Sequence, residues 1–96
     1  MFIRRKIKVG RKHVEGLLMR MGHKNLIILK GSRGYIMCGY LNLNVARKCQ
    51  DVAIKVTGVS SIDDVLRTKV HSCTPQARRC GIHPGQTVRS VLVIIA

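Results

Sequence analysis

Alternating apolar and polar residues open the chain and give way, near its middle, to the spacing of amphipathic helices. Residues 3–9 put Ile3, Ile7 and Val9 on one parity and Arg4, Lys6 and Lys8 on the other, with Arg5 breaking the apolar parity. This predicts an outer strand with one solvated face. Gly10-Arg11 predicts a hairpin turn into a second strand over residues 12–20. There Val14, Leu18 and Arg20 oppose His13, Glu15, Leu17 and Met19, which leaves the register open. Gly22-His23-Lys24-Asn25 breaks the pattern, and Leu26-Ile27-Ile28-Leu29 is a continuous apolar run suited to an inner strand. Gly31-Ser32-Arg33-Gly34 then connects tightly to a strand over Tyr35–Cys38. Strands joined by such short turns form an antiparallel meander.

The period changes after Cys38. Asn42 is a good N-cap for a helix from Leu43 to Cys49, with Val45, Ala46 and Cys49 expected on its buried face. A strand over Val52–Val56 follows, turned by Thr57-Gly58-Val59. Ser61, with Asp64 three residues on, resembles a capping box for a short helix that buries Ile62, Val65 and Leu66. Lys69–Cys73 predicts another strand, and Thr74-Pro75 starts a helix that Gly81 ends. Val88, Val91, Leu92 and Ile95 follow helical spacing, although the β-branched run Val91–Ile95 also suits a strand. The helical pattern is the better fit. The fold class expected is α+β, a two-layer sandwich of a largely antiparallel sheet with short helices on one face.

Composition changes this picture mainly through charge. The 96 residues suit one domain, a basic strand pair over 1–22 joined to an α+β body over 23–96. Net charge is +14, and ten of the 18 Lys and Arg fall within residues 1–33. Such a field draws polyanions, whether nucleic acid or acidic membrane, in a salt-dependent way. A solvated, merely solubilising face is the alternative. Aromatic residues are only Phe2, Tyr35 and Tyr40, which argues against base stacking on the protein surface. Cys38, Cys49, Cys73 and Cys80 form no regular framework, no secretory leader is recognisable, and no apolar run is long enough to span a bilayer. Free thiols in a reducing cytoplasm are expected.

With these residues in view, the chain resembles the YunC-like family of small archaeal and bacterial proteins, a domain of unknown function. The resemblance runs over about residues 13–95. It rests on Glu15-Gly16, Leu26–Leu29 with Gly34-Tyr35, and above all Cys38-Gly39-Tyr40-Leu41-Asn42. Val56-Thr57-Gly58-Val59 with Asp64 and Leu66, then Gly81-Ile82 and Gly85, extend it. It implies a two-layer α+β fold and adds no reaction, cofactor or substrate. The heavily basic N-terminal strands depart from the family pattern. So does a shortened C-terminal helix, which would leave apolar surface for a partner.

Three constellations carry candidate chemistry. Cys38, at a strand end ahead of the Asn42-capped helix, is a candidate nucleophile; its bland counterpart is a small buried hydrophobe. Thr57-Gly58-Val59-Ser60-Ser61 leading into Asp63 and Asp64 offers backbone donors or paired carboxylates, against simple helix capping. His71 and Cys73 with Cys80 and His83 supply four nitrogen and sulfur ligands, but their spacing matches no known finger; core packing beside Ala77 is the expectation for Cys80. His13 and His23 are expected on the surface.

The sequence thus points to a binding or regulatory module, expected to self-associate, with a ligand held near Cys38, Asn42, Thr57, Ser61 and Asp64. The alternatives are nucleic-acid association through Arg4, Arg5, Lys6, Lys8, Arg11 and Lys12, and a thiol-dependent enzyme using Cys38 or the Asp63-Asp64 pair.

Overall fold

A computed structural model describes residues 2–40 and 42–96. Leu41, within the Cys38–Asn42 motif, lies outside the described residues. The strands are β1 (Phe2–Val9), β2 (Lys12–Met21), β3 (Lys24–Lys30), β4 (Tyr35–Met37), β5 (Ala53–Lys55) and β6 (Ser72–Cys73). The helices are α1 (Leu43–Lys48), α2 (Ile62–Arg67), α3 (Pro75–Arg79) and α4 (Val88–Ile95). All six strands join one sheet in chain order, antiparallel throughout except for the parallel pair β4 and β5. This is the α+β architecture expected.

Register settles which parity of β2 faces inward. Gly16 lies opposite Leu29, Leu29 opposite Ile36, and Ile36 opposite Ile54, so these residues share one face of the sheet. Ile7, Val14, Leu18 and Ile27 lie on that face too, and all are buried. Gly16 makes the packing possible. A β-carbon there would come within 3.2–3.3 Å of Ile7, Leu29 and Ile62 side chains, so its absence lets α2 settle onto β2. α2 in turn packs on α4, whose Val88, Val91, Leu92 and Ile95 are all buried at helical spacing. The helical period therefore wins over the β-branched composition at the C-terminus. The opposite face of β1 and β2 is solvated, with Arg4, Lys6, Lys8, His13 and Glu15 exposed.

The parallel pair is set by a close backbone approach. Gly34 sits so near Val52 that a β-carbon would lie 2.6 Å from the Val52 carbonyl oxygen, and Tyr35 N–H donates to that oxygen at 3.1 Å. α1 supplies the crossover that parallel strands require. Ala53 and Ile54 point to opposite faces of β5 yet both are fully buried, since α1 and α3 also pack against this strand.

Several local expectations need correction. Of the face predicted for α1 only Ala46 is buried; Val45 is 57% exposed and Cys49 is exposed. The strand predicted over Lys69–Cys73 contracts to its last two residues. Val70 N–H donates to Gln86 and Lys69 bridges to Thr87, so the backbone there pairs with the loop before α4 instead of β5. Cys80, predicted in the core beside Ala77, is the exposed C-cap of α3. Among the described residues, no helix is long and apolar enough to cross a membrane.

Candidate functional site

Parallel strands release their chains at the same end of a sheet. The residues after β4 and those after β5 therefore emerge side by side, and β3, antiparallel to β4, begins at that end. Together they enclose a cleft of about 440 Å³. One wall is His23, Lys24 and Asn25; Cys38, Gly39 and Tyr40 form the middle; Thr57, Gly58, Val59 and Ser60 close the far side.

Hydrogen bonds hold the walls in place. Asn25 Nδ2 donates to the Ser60 carbonyl oxygen at 2.9 Å, tying the start of β3 to the loop after β5. Tyr40 Oη donates to the Met21 carbonyl oxygen at 3.4 Å. Gly58 adopts a positive φ of 69°, a conformation that suits glycine and turns the loop over the cleft. Ser60 donates both its backbone N–H and its hydroxyl to Asp64 Oδ2, at 3.0 and 2.9 Å.

Cys38 is 4% exposed, at the inner limit of the cleft. Its Sγ accepts from Ile27 N–H at 3.5 Å and donates to the Asn25 carbonyl oxygen at 3.6 Å. Both partners are backbone groups of β3, so the thiol splices two strands together. No imidazole shares a hydrogen bond with it among the described residues.

The other site residues divide sharply. Thr57 lines the cleft, whereas Asn42, Ser61 and Asp64 do not. Asn42 Oδ1 accepts from Asn44 N–H at 2.9 Å as the N-cap of α1. Ser61 Oγ accepts from Asp64 N–H at 3.0 Å as the N-cap of α2. The reciprocal arm of this capping box goes to Ser60, one residue earlier than the motif prescribes. The Ser60 backbone and hydroxyl donors hold the Asp64 carboxyl below its usual range. Asp63 is lowered as well, by Arg5, whose Nη1 lies 2.7 Å from Asp63 Oδ1. The carboxylate pair thus faces away from shared work: each carboxylate has its own partner. Neither lines the cleft.

The basic strand pair is split in the same way. Alternation places Arg4, Lys6 and Lys8 on the open face, but Arg5 on the helix-covered face with its Asp63 partner. Arg4 approaches Glu15 at 3.8 Å. Arg11 lies in the turn, and Lys12 opposes Val9 at its edge.

The proposed zinc quartet does not assemble. Cys73 Sγ is buried and donates to the Ile82 carbonyl oxygen at 3.6 Å, and that burial pushes its thiol pKa up. His71, Cys80 and His83 are exposed, and His71 Nδ1 pairs with Ser72 Oγ at 3.1 Å. Among the described residues, no three His, Cys, Asp or Glu side chains are placed to hold a metal ion.

Sequence reasoning passed over His23, Lys24 and Asn25. A signal for these three was present: a turn opening β3 must lie beside the end of its antiparallel neighbour β4.

Comparisons with known proteins place the chain. No curated protein matches it. Its structure is similar to the crystal structure of a protein of unknown function, TA1206, from Thermoplasma acidophilum. The two share 36% identity over 100% of this chain and 94% of that one, with a TM-score of 0.96. Residues 37–95 match the family model described as a domain of unknown function, DUF1805. That match carries the family resemblance as far as a domain of unknown function, and not as far as the YunC-like name. The region matched contains both strand-to-helix junctions, and the chain belongs to the DUF1805 family.

Proposed function

We propose that this protein is a binding or regulatory module whose ligand occupies the cleft between the start of β3 and the ends of β4 and β5. The observation that carries the reading is the meeting of the Cys38–Tyr40 and Thr57–Ser60 segments in one hollow of about 440 Å³. Small-molecule sites commonly fall at roughly 300–1,000 Å³. Ligands of open sheets also favour the carboxyl ends of parallel strands. No carboxylate lines the cleft, whereas Lys24, His23 and Thr57 do; the hydroxyl protons of Tyr40 and Ser60 are already given to Met21 and Asp64. A small anion carrying hydrogen-bond acceptors is the ligand class that suits this lining.

Titrating isotope-labelled protein with small carboxylates and phosphate monoesters tests the reading. Amide signals of Gly39, Gly58 and Ser60 should move together, and Lys24→Glu should abolish the response. Silence across the panel, or shifts confined to other residues, would overturn it. The thiol-enzyme alternative has less support, because Cys38 is buried and bonded only to backbone. Nucleic-acid association is weakened as well by the Arg5–Asp63 and Arg4–Glu15 pairs.

A further inference from the structure

Beyond the cleft, one end of the sheet carries an unexplained apolar crown. Among the described residues, seven large hydrophobic side chains are exposed, and four of them gather here: Phe2, Met19, Met21 and Tyr40. They are contiguous. Phe2 opposes Met19 across β1 and β2, and Met21 follows on the same face of β2. Tyr40 reaches the Met21 carbonyl oxygen, whereas Ile3, opposite Leu18, lies on the other face. Single exposed hydrophobics need no explanation, but a cluster marks an interaction surface.

Charge decides what covers it. Arg4 and Lys6 share the face of Phe2 and Met19, Lys24 pairs with Met21 on it, and all three are exposed. Glu15, the only carboxylate of β1 to β3, lies four residues before Met19 along β2. A second copy docked here would bring these cations together with only Glu15 of each strand set, already 3.8 Å from Arg4, to offset them. A nucleic acid would use the cations but has no use for aliphatic side chains. A planar anionic surface with an apolar layer beneath satisfies both halves of the pattern.

We propose that this end of the sheet docks on anionic lipid membranes, with Phe2, Met19 and Met21 entering the interface and Arg4, Lys6 and Lys24 meeting the headgroups. Electrostatic attraction by the +14 chain brings the protein to the surface, and the crown fixes its orientation. The cleft, adjacent through Lys24 and Tyr40, then opens next to the membrane.

Vesicle flotation tests this with substitutions at Phe2 and Met21, which lie outside the cleft, so its outcome is separate from the ligand reading. The protein should float with vesicles containing about a third phosphatidylglycerol and not with pure phosphatidylcholine. The double variant Phe2→Ser/Met21→Ser should bind at least roughly fivefold more weakly, and Arg4→Glu/Lys6→Glu should not bind. Val93→Ser, at a side chain 70% exposed on α4, serves as the control and should bind like the parent. Failure to float with the anionic vesicles, or equal flotation with neutral ones, would overturn the proposal. So would full binding by the Phe2/Met21 double variant, which assigns the effect to net charge alone. A solution dimer dissolved by that same double variant would assign the crown to a second copy. An RNA oligonucleotide losing affinity in step with it would assign the crown to nucleic acid.

Discussion

Gly31 meets Ile95 backbone to backbone: a β-carbon on Gly31 would overlap the Ile95 carbonyl oxygen. Around that contact, Arg33 N–H donates to the same oxygen at 2.9 Å and Ser32 Oγ donates to the Ala96 carbonyl oxygen at 3.0 Å. The turn between β3 and β4 thereby clasps the end of α4. Gly31→Ala must push the two segments apart and should cost about 2–4 kcal/mol in urea unfolding. Gly39→Ala, where a β-carbon meets nothing within 4 Å, should change stability by less than about 0.5 kcal/mol. Equal effects from the two substitutions would show that the clasp contributes nothing.

Tyr35 gives the fold an alkaline limit. Burial, followed by the hydrogen bond from its hydroxyl to Asp51 Oδ2 at 2.9 Å, pushes its pKa from 10.0 to about 12. The folded state therefore holds the proton more tightly than the unfolded chain does. That contribution to stability is complete below pH 10.0 and is lost as pH rises towards about 12. Unfolding midpoints should fall across this window in the parent and fall less in Tyr35→Phe. Identical alkaline slopes would contradict the assignment.

Thiol labelling separates the four cysteines. Cys49 and Cys80 are exposed and should react with a chromogenic disulfide within the first phase. Cys38 and Cys73 are buried and should wait for opening of the fold, accelerating in step with added denaturant. A Cys38 that outpaces the exposed pair in native buffer would restore the nucleophile reading.

The cap of α2 sets an acid limit. Ser61→Ala removes the acceptor for Asp64 N–H and should cost about 1 kcal/mol. Asp64 has a folded pKa below the usual 3.8, so its contribution is present above that value and is lost as pH falls through the lower folded one. Asp64→Asn should flatten the acid limb of a stability–pH curve. An unchanged limb would remove Asp64 from the account.

Periodicity revealed most of the fold because most of its elements have one wet side and one dry side. β1 alternates visibly, and α4 repeats its apolar positions over its full length. β2 was ambiguous because Leu17 and Met19 put apolar side chains on the open face as well. Cys80 misled for a different reason: α3 is too short for spacing from Ala77 to define a face, and its C-cap turns outward. The cleft was half legible. Its Cys38 and Thr57 portions announced themselves as junctions, but Asn42, Ser61 and Asp64 owe their polar character to capping, which sequence alone does not distinguish from binding. His23, Lys24 and Asn25 became visible only through the pairing of β3 with β4, a long-range fact that no local pattern encodes.

The shared direction of β4 and β5 separates two demands on the chain. Interior side chains of those strands fix the framework, while whatever enters from solvent meets chiefly the tips beyond them. On the proposed reading, replacements at Thr57 or Lys24 would retune what is recognised without disturbing the packed interior. A binding module of this design would let its cargo change while the framework stayed nearly superimposable.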